Sequence, residues 1–541
     1  MGFFTRVVKH SPQLTTYAQA KLGGTGLSKL RRVHHHSGSD KIAQEKLASA
    51  LKQLPCSTLA RLREMQSSGI SDGDFYSEEV RPALLNVNRY GDNEVEHLPV
   101  KDFLSLTPHV PHPEAKAGGR WEQDQVLIHD TDELVEVADE GAQIISNGQC
   151  AMGIPAAGVA SRAADIFRSR EDLVGIMTYL MGYLEGLNGL SENTYPPRFL
   201  YPVASTRGIM TLLGMMLENL HIVGTELGTV IPSLLMLHPN MSEFVLAKLA
   251  DHIKKWGPDW QESILLWAQS MSQRYYLTDQ QPLKDLFPNG HGEHPRMLAE
   301  LDMFNFLRSK GINYYFFANA DEIVFGPNPI LAGVAGRLIQ MGYAQVVFVV
   351  DNPTNQGGGG PVRHITVPEN THLIENPSMP TSFITGGKYP RCINTLSIVG
   401  STDKLAQVSP GLAAKTTLLL EAKVWEGRNG GVELIASAEG HAGTELTNPH
   451  SRDAGSYRNA FVYVNRPGFF MGIKTPAHVY DGSTPPELLA DPIFGRMSYA
   501  TYTRHMFNTF PAILRGMIER DRSVLEQIFK RGGSYLLPID D

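Results

Sequence analysis

Short apolar runs alternate with amphipathic stretches between about residue 146 and residue 350 of this chain. The strand-like runs are CAMGI from Cys150, TVIPSLLML from Thr229, INYYFFANAD from Ile312 and AQVVFVV from Ala344. Apolar residues recur at helical spacing after Ser205, in NMSEFVLAKLADHIKKWG from Asn240 and in HPRMLAELDMFNFLRSKG from His294. Because strands that alternate with helices indicate βαβ units, the pattern predicts an α/β fold with a parallel sheet.

The first of these strand-like runs leads into a turn of small residues, PAAGVASR. Ala156, Ala157 and Gly158 have almost no side chain, so backbone N–H groups there can approach a triphosphate closely. Arg162 adds a charge that persists at neutral pH. The segment is typical of a phosphate-holding loop, and plain packing between a strand and a helix is the alternative reading.

A second polar cluster, Asn319 to Asp321, follows the aromatic run INYYFF. Ligands of open α/β sheets gather at the carboxyl ends of strands, and a strand-end aspartate can hold Mg²⁺ while the substrate supplies the other oxygen ligands. The alternative is that Asp321 caps the next turn and Asn319 bonds to backbone.

The segment FPNGHGEHP places Gly290 and Gly292 on either side of His291. Two glycines let the backbone pass close to a flat ring or a phosphate. A turn before a helix has the same composition, and the residues alone leave both interpretations open.

The N-terminal part of the chain has a different texture. Residues 1 to about 45 are polar and include three consecutive histidines, His34 to His36, to which we assign no role. Residues 41–70 predict two short helices interrupted at Pro55, and an irregular arm is expected from there to about residue 140.

Composition narrows the class of protein. The chain has 541 residues and a formal net charge of −8, so we expect a large core and no nucleic-acid partner. Its three cysteines lie far apart with no CxxC pair, which argues against disulfides and zinc and favours a reducing, cytoplasmic location. No signal peptide and no membrane-spanning run is apparent, so we expect no membrane association.

The order of several short motifs is similar to that of the eukaryotic-type UDP-sugar pyrophosphorylases. The motifs are PAAGVASR, PPRFLYPV, SQRYYLTDQQPL, NGHGE, FFANADE, a GGGG run, HLIEN, INT and GFFMGIK. That family includes the UTP–glucose-1-phosphate uridylyltransferases and the UDP-N-acetylhexosamine pyrophosphorylases. The resemblance covers about residues 146 to 480.

The resemblance implies an α/β fold with a GT-A-like Rossmann nucleotidyltransferase core. We therefore predict an N-terminal helical or irregular arm over residues 1–145, the core over 146–405 and a C-terminal α/β or β-rich domain over 406–541. It also implies that UTP, or another nucleoside triphosphate, and a sugar-1-phosphate are the substrates, with Mg²⁺ as cofactor.

The resemblance further implies roles for single residues. On the nucleotide side, the loop with Arg162 matches the phosphate-binding loop, Gln273 matches a glutamine that reads the uracil edge, and Gly290, His291 and Gly292 match the segment beside the base. Asn319 and Asp321 match the N-x-D pair that reaches the nucleotide-sugar and the metal. Glu375 and Asn394 match positions that hold sugar hydroxyls, and Lys474 matches a lysine that contacts substrate phosphates.

The chain departs from the family pattern at four places. Its loop resembles the AAGxxSR of smaller cytidylyltransferases instead of L-x-G-G-x-G-T-R, which leaves UTP and CTP open as nucleotides. Arg198 stands where the family has a lysine after proline, so a planar fork replaces a point charge. Gly472 replaces the proline of F-x-P-V-K, and Glu322 replaces the last asparagine of N-x-D-N.

The chemistry implied by the resemblance is an in-line attack of a sugar-1-phosphate oxygen on the α-phosphorus of the triphosphate, with pyrophosphate leaving. Arg162, Arg198 and Lys474 are the expected catalytic cations, and Asp321 the expected metal ligand. Two other functions remain open: a nucleotide-sugar-binding protein without turnover, and a GT-A glycosyltransferase. The usual D-x-D metal signature of the latter has Asn319 in its first position here.

Overall fold

A computed structural model describes much of the chain between residues 90 and 464. The described ranges are 90–110, 112–114, 119–156, 202–205, 208–238, 256–277, 279–320, 322, 325–352, 359–375, 378–385, 389–414, 418–426, 432–448 and 457–464, with single positions among 49–64 and at 199. None of the helices in these ranges is long and apolar enough to cross a membrane.

The described residues form strands and helices that alternate in part of the chain, with runs of consecutive strands elsewhere. The strands are β1 (Val95–His97), β2 (Phe103–Ser105), β3 (Cys150–Ala156), β4 (Pro202–Ser205), β5 (Gly208–Thr211), β6 (Ser233–Leu237), β7 (Ile264–Ala268), β8 (Met271–Tyr276), β9 (Pro282–Pro288), β10 (Tyr314–Phe317), β11 (Tyr343–Asp351), β12 (Gly360–His364), β13 (Thr371–Ile374), β14 (Cys392–Ser401), β15 (Leu418–Glu426), β16 (Val432–Gly440) and β17 (Arg458–Tyr463). The helices are α1 (Thr131–Ser146), α2 (Leu212–Glu226), α3 (Pro258–Glu262), α4 (Glu293–Glu300), α5 (Met303–Ser309), α6 (Pro329–Gln340), α7 (Thr381–Thr385), α8 (Thr402–Ala414) and α9 (Ala442–Thr447).

The core of the molecule is a sheet with the strand order β2-β17-β11-β14-β10-β3-β6-β7. β14 runs antiparallel to β10 and β11, and the other neighbours pair in parallel. The expected α/β fold is confirmed, but the sheet is mixed rather than parallel throughout. β14 is buried along most of its length, and its sequence CINTLSIVGS lacks the regular apolar and polar alternation of a half-exposed antiparallel strand, so sequence does not reveal its direction.

Connections from this sheet reverse direction between β3 and β10. The chain goes from β3 to β6 and β7 on one side, whereas β10 leads to β11 on the other. Such a reversal opens a crevice outside the carboxyl ends of the two strands. β3 ends at Ala156, and Asn319 lies two residues beyond the end of β10, so both sequence-predicted segments start at this crevice.

The described residues form three smaller sheets beside the main sheet. One has the order β15-β16-β8-β9, the second has the order β1-β12-β13, and the third pairs β4 with β5. Strands from both sides of the predicted boundaries at 145/146 and 405/406 contribute to the main sheet, β2 at its edge and β17 beside β11. The boundaries themselves stay predictions.

Several helices differ from the sequence expectation. The stretch from His294 forms two helices, α4 and α5, because Asp302 between them adopts left-handed backbone with φ 57°. Residues 131–146, expected to be part of an irregular arm, form the continuous helix α1. The predicted helix from Asn240 and almost all of the predicted N-terminal helices lie outside the described residues.

Helices α1 and α6 pack closely through small residues. A Cβ added to Gly333 would overlap the backbone carbonyl of Val137 and lie 2.8 Å from its Cγ1. The contact buries Val137 and Leu134 completely and is bordered by Arg337, which pairs with Glu140 at 2.7 Å. The two backbones are therefore in direct van der Waals contact at this point.

A fully buried histidine links β6 to β10. His294 Nε2 donates to the Leu234 carbonyl at 2.9 Å, and since the neutral ring then has a free lone pair on Nδ1, Tyr315 Oη donates to that atom at 3.0 Å. Burial lowers the pKa of His294 to about 3. Burial, together with the nearby His364, likewise lowers the pKa of His372 to about 3.

These two histidines predict a loss of stability in mild acid. The unfolded chain takes up protons at histidine below its ordinary pKa of 6.5, and the folded chain does not, so stability falls as pH drops from 6.5 towards 3. Each group approaches a limiting slope of about 1.4 kcal/mol per pH unit, and because the slope is only half of that at pH 6.5 itself, the pair should cost roughly 3 kcal/mol between pH 6.5 and about pH 5. The urea midpoint measured across this range checks the slope. His294→Gln keeps an amide donor and acceptor without titrating, and should show a shallower slope; a variant as steep as the parent would contradict the assignment.

Candidate active site

The carboxyl edge of the main sheet carries the first two predicted segments. Ala156 is fully buried as the last residue of β3, where it pairs with Leu237 of β6. The positions predicted to follow it or to converge on it lie outside the described residues: Ala157, Gly158, Arg162, Arg198, Asp321 and Lys474. Their assignments therefore stay predictions.

Asn319 is half-buried at the end of β10, next to Ala318, whose N–H donates to the Gly153 carbonyl of β3. Its backbone carbonyl accepts the N–H of Glu322 at 3.0 Å, which turns the chain back on itself. Glu322 is 4% exposed. The turn thus places the Asn319 carboxamide before position 321 and the buried Glu322 carboxylate after it. Both groups carry hard oxygen donors of the type that suits Mg²⁺. Among the described residues, no three His, Cys, Asp or Glu side chains gather into a larger metal cluster.

The glycine-bracketed histidine segment packs against a second turn of similar sequence, Gly440-His441-Ala442-Gly443. Gly292 N–H donates to the Gly440 carbonyl at 2.9 Å, and a Cβ on Gly292 would overlap the Gly440 backbone. The Ala442 N–H donates to His291 Nδ1 at 2.9 Å. Both segments connect a strand to a helix. Because their backbones are in close contact, small residues are needed in both segments even without a ligand.

A buried carboxylate anchors the same segment to the end of β7. Glu293 is 2% exposed, and both of its carboxylate oxygens accept the N–H of Ser270 at 2.9 Å. Arg296 lies 3.5 Å from this carboxylate. Two bonds to one buried carboxylate hold the start of α4 rigidly against the carboxyl edge of the main sheet.

Two glutamines lie near this junction, and the structure distinguishes them. Gln273, the predicted uracil reader, is half-buried on β8, where its Nε2 donates to the Leu283 carbonyl at 2.9 Å. Gln269, which sequence reasoning missed, follows β7 directly, is 1% exposed and donates to the Gly290 carbonyl. Its position at the carboxyl end of a parallel strand is the signal that identifies it.

The two predicted sugar-binding residues are in direct contact. Asn394 Nδ2 donates to Glu375 Oε1 at 3.0 Å, and both side chains are half-buried. Glu375 follows β13, and Asn394 lies near the start of β14. Because β14 is antiparallel to β10, its beginning lies at the same edge of the sheet as the end of β10 and Asn319.

Helix α9 connects the sugar pair to the histidine turns. A Cβ on Gly443, in its first turn, would lie 2.7 Å from Asn394 Nδ2. At its other end, Thr447 Oγ1 accepts the N–H of Leu373, two residues before Glu375, at 2.9 Å. The segment with His291 and the Glu375–Asn394 pair are therefore packed against the same short helix.

No family model matches this sequence, and a search of curated proteins finds no match. Among solved structures, the uridine diphosphate N-acetylglucosamine pyrophosphorylase from Trypanosoma brucei, in complex with an inhibitor, is similar over 92% of this chain and 97% of its own, with a TM-score of 0.50 and 14% identity. The fold of this chain is therefore similar to the fold of that pyrophosphorylase. This confirms the predicted fold at the level of a mixed α/β, nucleotidyltransferase-like architecture.

Two further solved structures match at lower TM-scores. A putative UDP-N-acetylglucosamine pyrophosphorylase from Entamoeba histolytica is 15% identical, over 64% of this chain and 82% of its own, with a TM-score of 0.46. The UDP-glucose pyrophosphorylase from Leishmania major is 12% identical, over 82% of this chain and 78% of its own, with a TM-score of 0.48.

Proposed function

We propose that this chain is a sugar-1-phosphate nucleotidyltransferase that forms a UDP-sugar and pyrophosphate from UTP and a sugar-1-phosphate. The observation that supports it most is the convergence of three segments on one edge of the sheet: the turn with His291, Asn319, and the Glu375–Asn394 pair. A nucleotide-sugar needs adjacent sites for its base, its metal-bridged phosphates and its sugar ring. We assign these sites to the turn with His291, to Asn319 and to the Glu375–Asn394 pair, respectively.

The proposed mechanism relies on positioning and cations. Arg162 holds the triphosphate on the leaving side, and Lys474 with Arg198 neutralises the attacking phosphate, which otherwise repels its target. Asp321, with Asn319, would hold Mg²⁺, and a bound Mg²⁺ would supply Lewis-acid stabilisation of phosphate charge. The carboxylate of Glu375 accepts hydrogen bonds from hydroxyls and repels phosphate, which suits it to the sugar ring.

A nucleotide-sugar-binding protein without turnover is the second candidate. The alanines that replace glycines in the phosphate loop, and Arg198 in place of lysine, favour it. Pyrophosphate release measured with UTP, CTP, GTP and ATP against a panel of sugar-1-phosphates separates the two. Release that requires both substrates supports the transferase; silence with retained UDP-sugar binding supports the binding protein.

Base selection is the most specific part of the proposal. We assign the uracil contact to Gln269, with Gln273 as the alternative from sequence. Since one Nε2 proton of Gln269 is used by Gly290, its Oε1 and second Nε2 proton match the uracil N3–H and adjacent carbonyl, whereas cytosine lacks that N3–H.

Gln269→Ala should therefore flatten the UTP-to-CTP ratio of kcat/KM. A buried amide left unpaired by the wrong base costs about 1 to 3 kcal/mol, so the parent should prefer UTP by roughly ten- to a hundredfold. Gln273→Ala is the matched control and should keep the preference, since Gln273 lies on β8 in the flanking sheet and not at the carboxyl end of a main-sheet strand. The opposite pattern would return the role to Gln273, and a parent that prefers CTP would reject both assignments.

A further inference from the structure

Strand β14 contains a bulge directly beside the sugar pair. Its pairing with β11 joins Ser397 to Phe348 and Asn394 to Val349, so Thr395 and Leu396 are extra residues that face no partner on β11. A bulge bends its strand and re-aims the neighbouring side chain. Here the re-aimed residue is Asn394, whose own N–H donates to the Gly359 carbonyl at 2.8 Å.

Leu396 adopts an unfavourable backbone conformation in this bulge. Its φ is 59°, in the left-handed region where a side chain with a Cβ is disfavoured, and it is 7% exposed. Leu396 N–H donates to Asn394 Oδ1 at 2.9 Å. With its oxygen engaged by the backbone, the Asn394 amide has its nitrogen directed at Glu375 Oε1. Strain of this kind persists where the surrounding structure enforces it, and it clusters at functional sites.

Thr395 fastens the bulge to the neighbouring strand. Its hydroxyl donates to the Phe348 carbonyl at 2.7 Å and accepts the N–H of Ser397 at 3.2 Å. Thr395 is 3% exposed. The first bond ties the bulge to β11 and the second ties it to the residue after Leu396, so both restrain the backbone on which the left-handed conformation of Leu396 depends.

We propose that Thr395 and Leu396 are positioning residues that fix the Asn394 amide against Glu375 and so preorganise the sugar subsite. The inference rests on the proposed function, because it assigns the pair to a sugar ring. It adds two buried residues that do not touch the substrate but determine how well the sugar is held.

Thr395→Val tests whether the two hydrogen bonds of the Thr395 hydroxyl position Asn394, and Thr395→Ser is its matched control. Valine keeps the shape of threonine and removes both bonds, whereas serine keeps the hydroxyl. Thr395→Val should raise the KM for the sugar-1-phosphate about tenfold, with the KM for UTP and kcat within about twofold. Thr395→Ser should restore the parent KM. A purely structural role would lower the thermal midpoint and move both KM values together.

Equilibrium binding separates this inference from the proposed function. The probes are UDP, UDP-glucose and UDP-N-acetylglucosamine, and the readout is the ratio of the Kd for UDP to that for the tighter UDP-sugar. A parent that neither binds these probes nor releases pyrophosphate overturns the proposed function and this inference with it. A parent that binds UDP and UDP-sugar equally, or a Thr395→Val variant that keeps the parent ratio, overturns this inference alone.

If Thr395→Val does not fold, Leu396→Gly and Leu396→Ala provide a second test of the positioning role. Both remove nearly the same buried side chain, but only glycine accepts a φ of 59° without strain. Leu396→Ala should therefore raise the sugar-1-phosphate KM several-fold more than Leu396→Gly. Equal values, or the reverse order, would contradict a positioning role for the left-handed turn.

Discussion

Arg162→Ala is expected to lower kcat about a hundredfold while leaving the thermal unfolding midpoint unchanged. Strand β3 brings the chain to the crevice at Ala156, and Arg162 follows in the loop that we propose holds the triphosphate. As pyrophosphate leaves, negative charge grows on oxygens beside this cation. Removing one well-placed charge in such a setting costs on the order of 3 kcal/mol of transition-state stabilisation.

Two control variants lie at or near the same position in the sequence. Arg162→Lys keeps the charge without the planar fork and should recover part of the lost rate. Arg170→Ala removes an arginine to which we assign no role and should leave kcat near the parent value. If Arg162→Ala turns over like the parent, the loop does not hold phosphate and packing between strand and helix is its explanation.

Gly333→Ala should destabilise the fold by about 2 kcal/mol or more, although alanine favours a helix over glycine by about 1 kcal/mol. The added methyl would overlap the Val137 carbonyl of α1, and since backbone atoms on both sides cannot yield locally, the two helices must separate. Urea unfolding with a constant m-value measures the loss.

Gly336→Ala, in the same helix, is the matched comparison. Its Cβ would meet Ile144 Cδ1 at 2.6 Å, the end of a flexible side chain that can turn aside. This variant gains the same helix propensity without the backbone collision, so it should be neutral or slightly stabilising. If both substitutions lower the free energy of unfolding equally, Gly333 does not determine the distance between α1 and α6.

Sequence reasoning located β3, β6, β10 and β11 because their apolar runs are long and bounded, but it did not locate β13 and β14, which position Glu375 and Asn394. It placed Asn319 at the carboxyl end of a strand, as found in β10. It missed helix α1, although Asp130 accepts the Glu133 N–H as an N-cap and Leu134, Val137, Ala138 and Ile145 recur at helical spacing. The N-cap and this spacing are sufficient to predict α1 from the sequence. The break between α4 and α5 at Asp302 could not be predicted, because no glycine or proline marks it.

The candidate site was less accessible to sequence, for physical reasons. The resemblance supplied Glu375 and Asn394 as separate residues, but their hydrogen bond depends on a bulge set by Thr395 bonding to another strand. Gln269 and Gln273 are four positions apart, and which of them faces the crevice depends on where β7 ends. Such long-range backbone relations leave no local pattern.

The edge of the main sheet also constrains the order in which this chain can fold. β2 pairs with β17 from Phe103 against Phe461 to Ser105 against Tyr463, and β17 in turn covers β11. During synthesis, β2 cannot pair with the main sheet until residue 463 has left the ribosome, and until then β11 lacks its β17 neighbour and presents an apolar edge. Closure across so large a sequence separation is slow and exposes the nascent chain to aggregation. A truncation that removes residues 458–463 would therefore remove the partner of a strand made near the start of the chain.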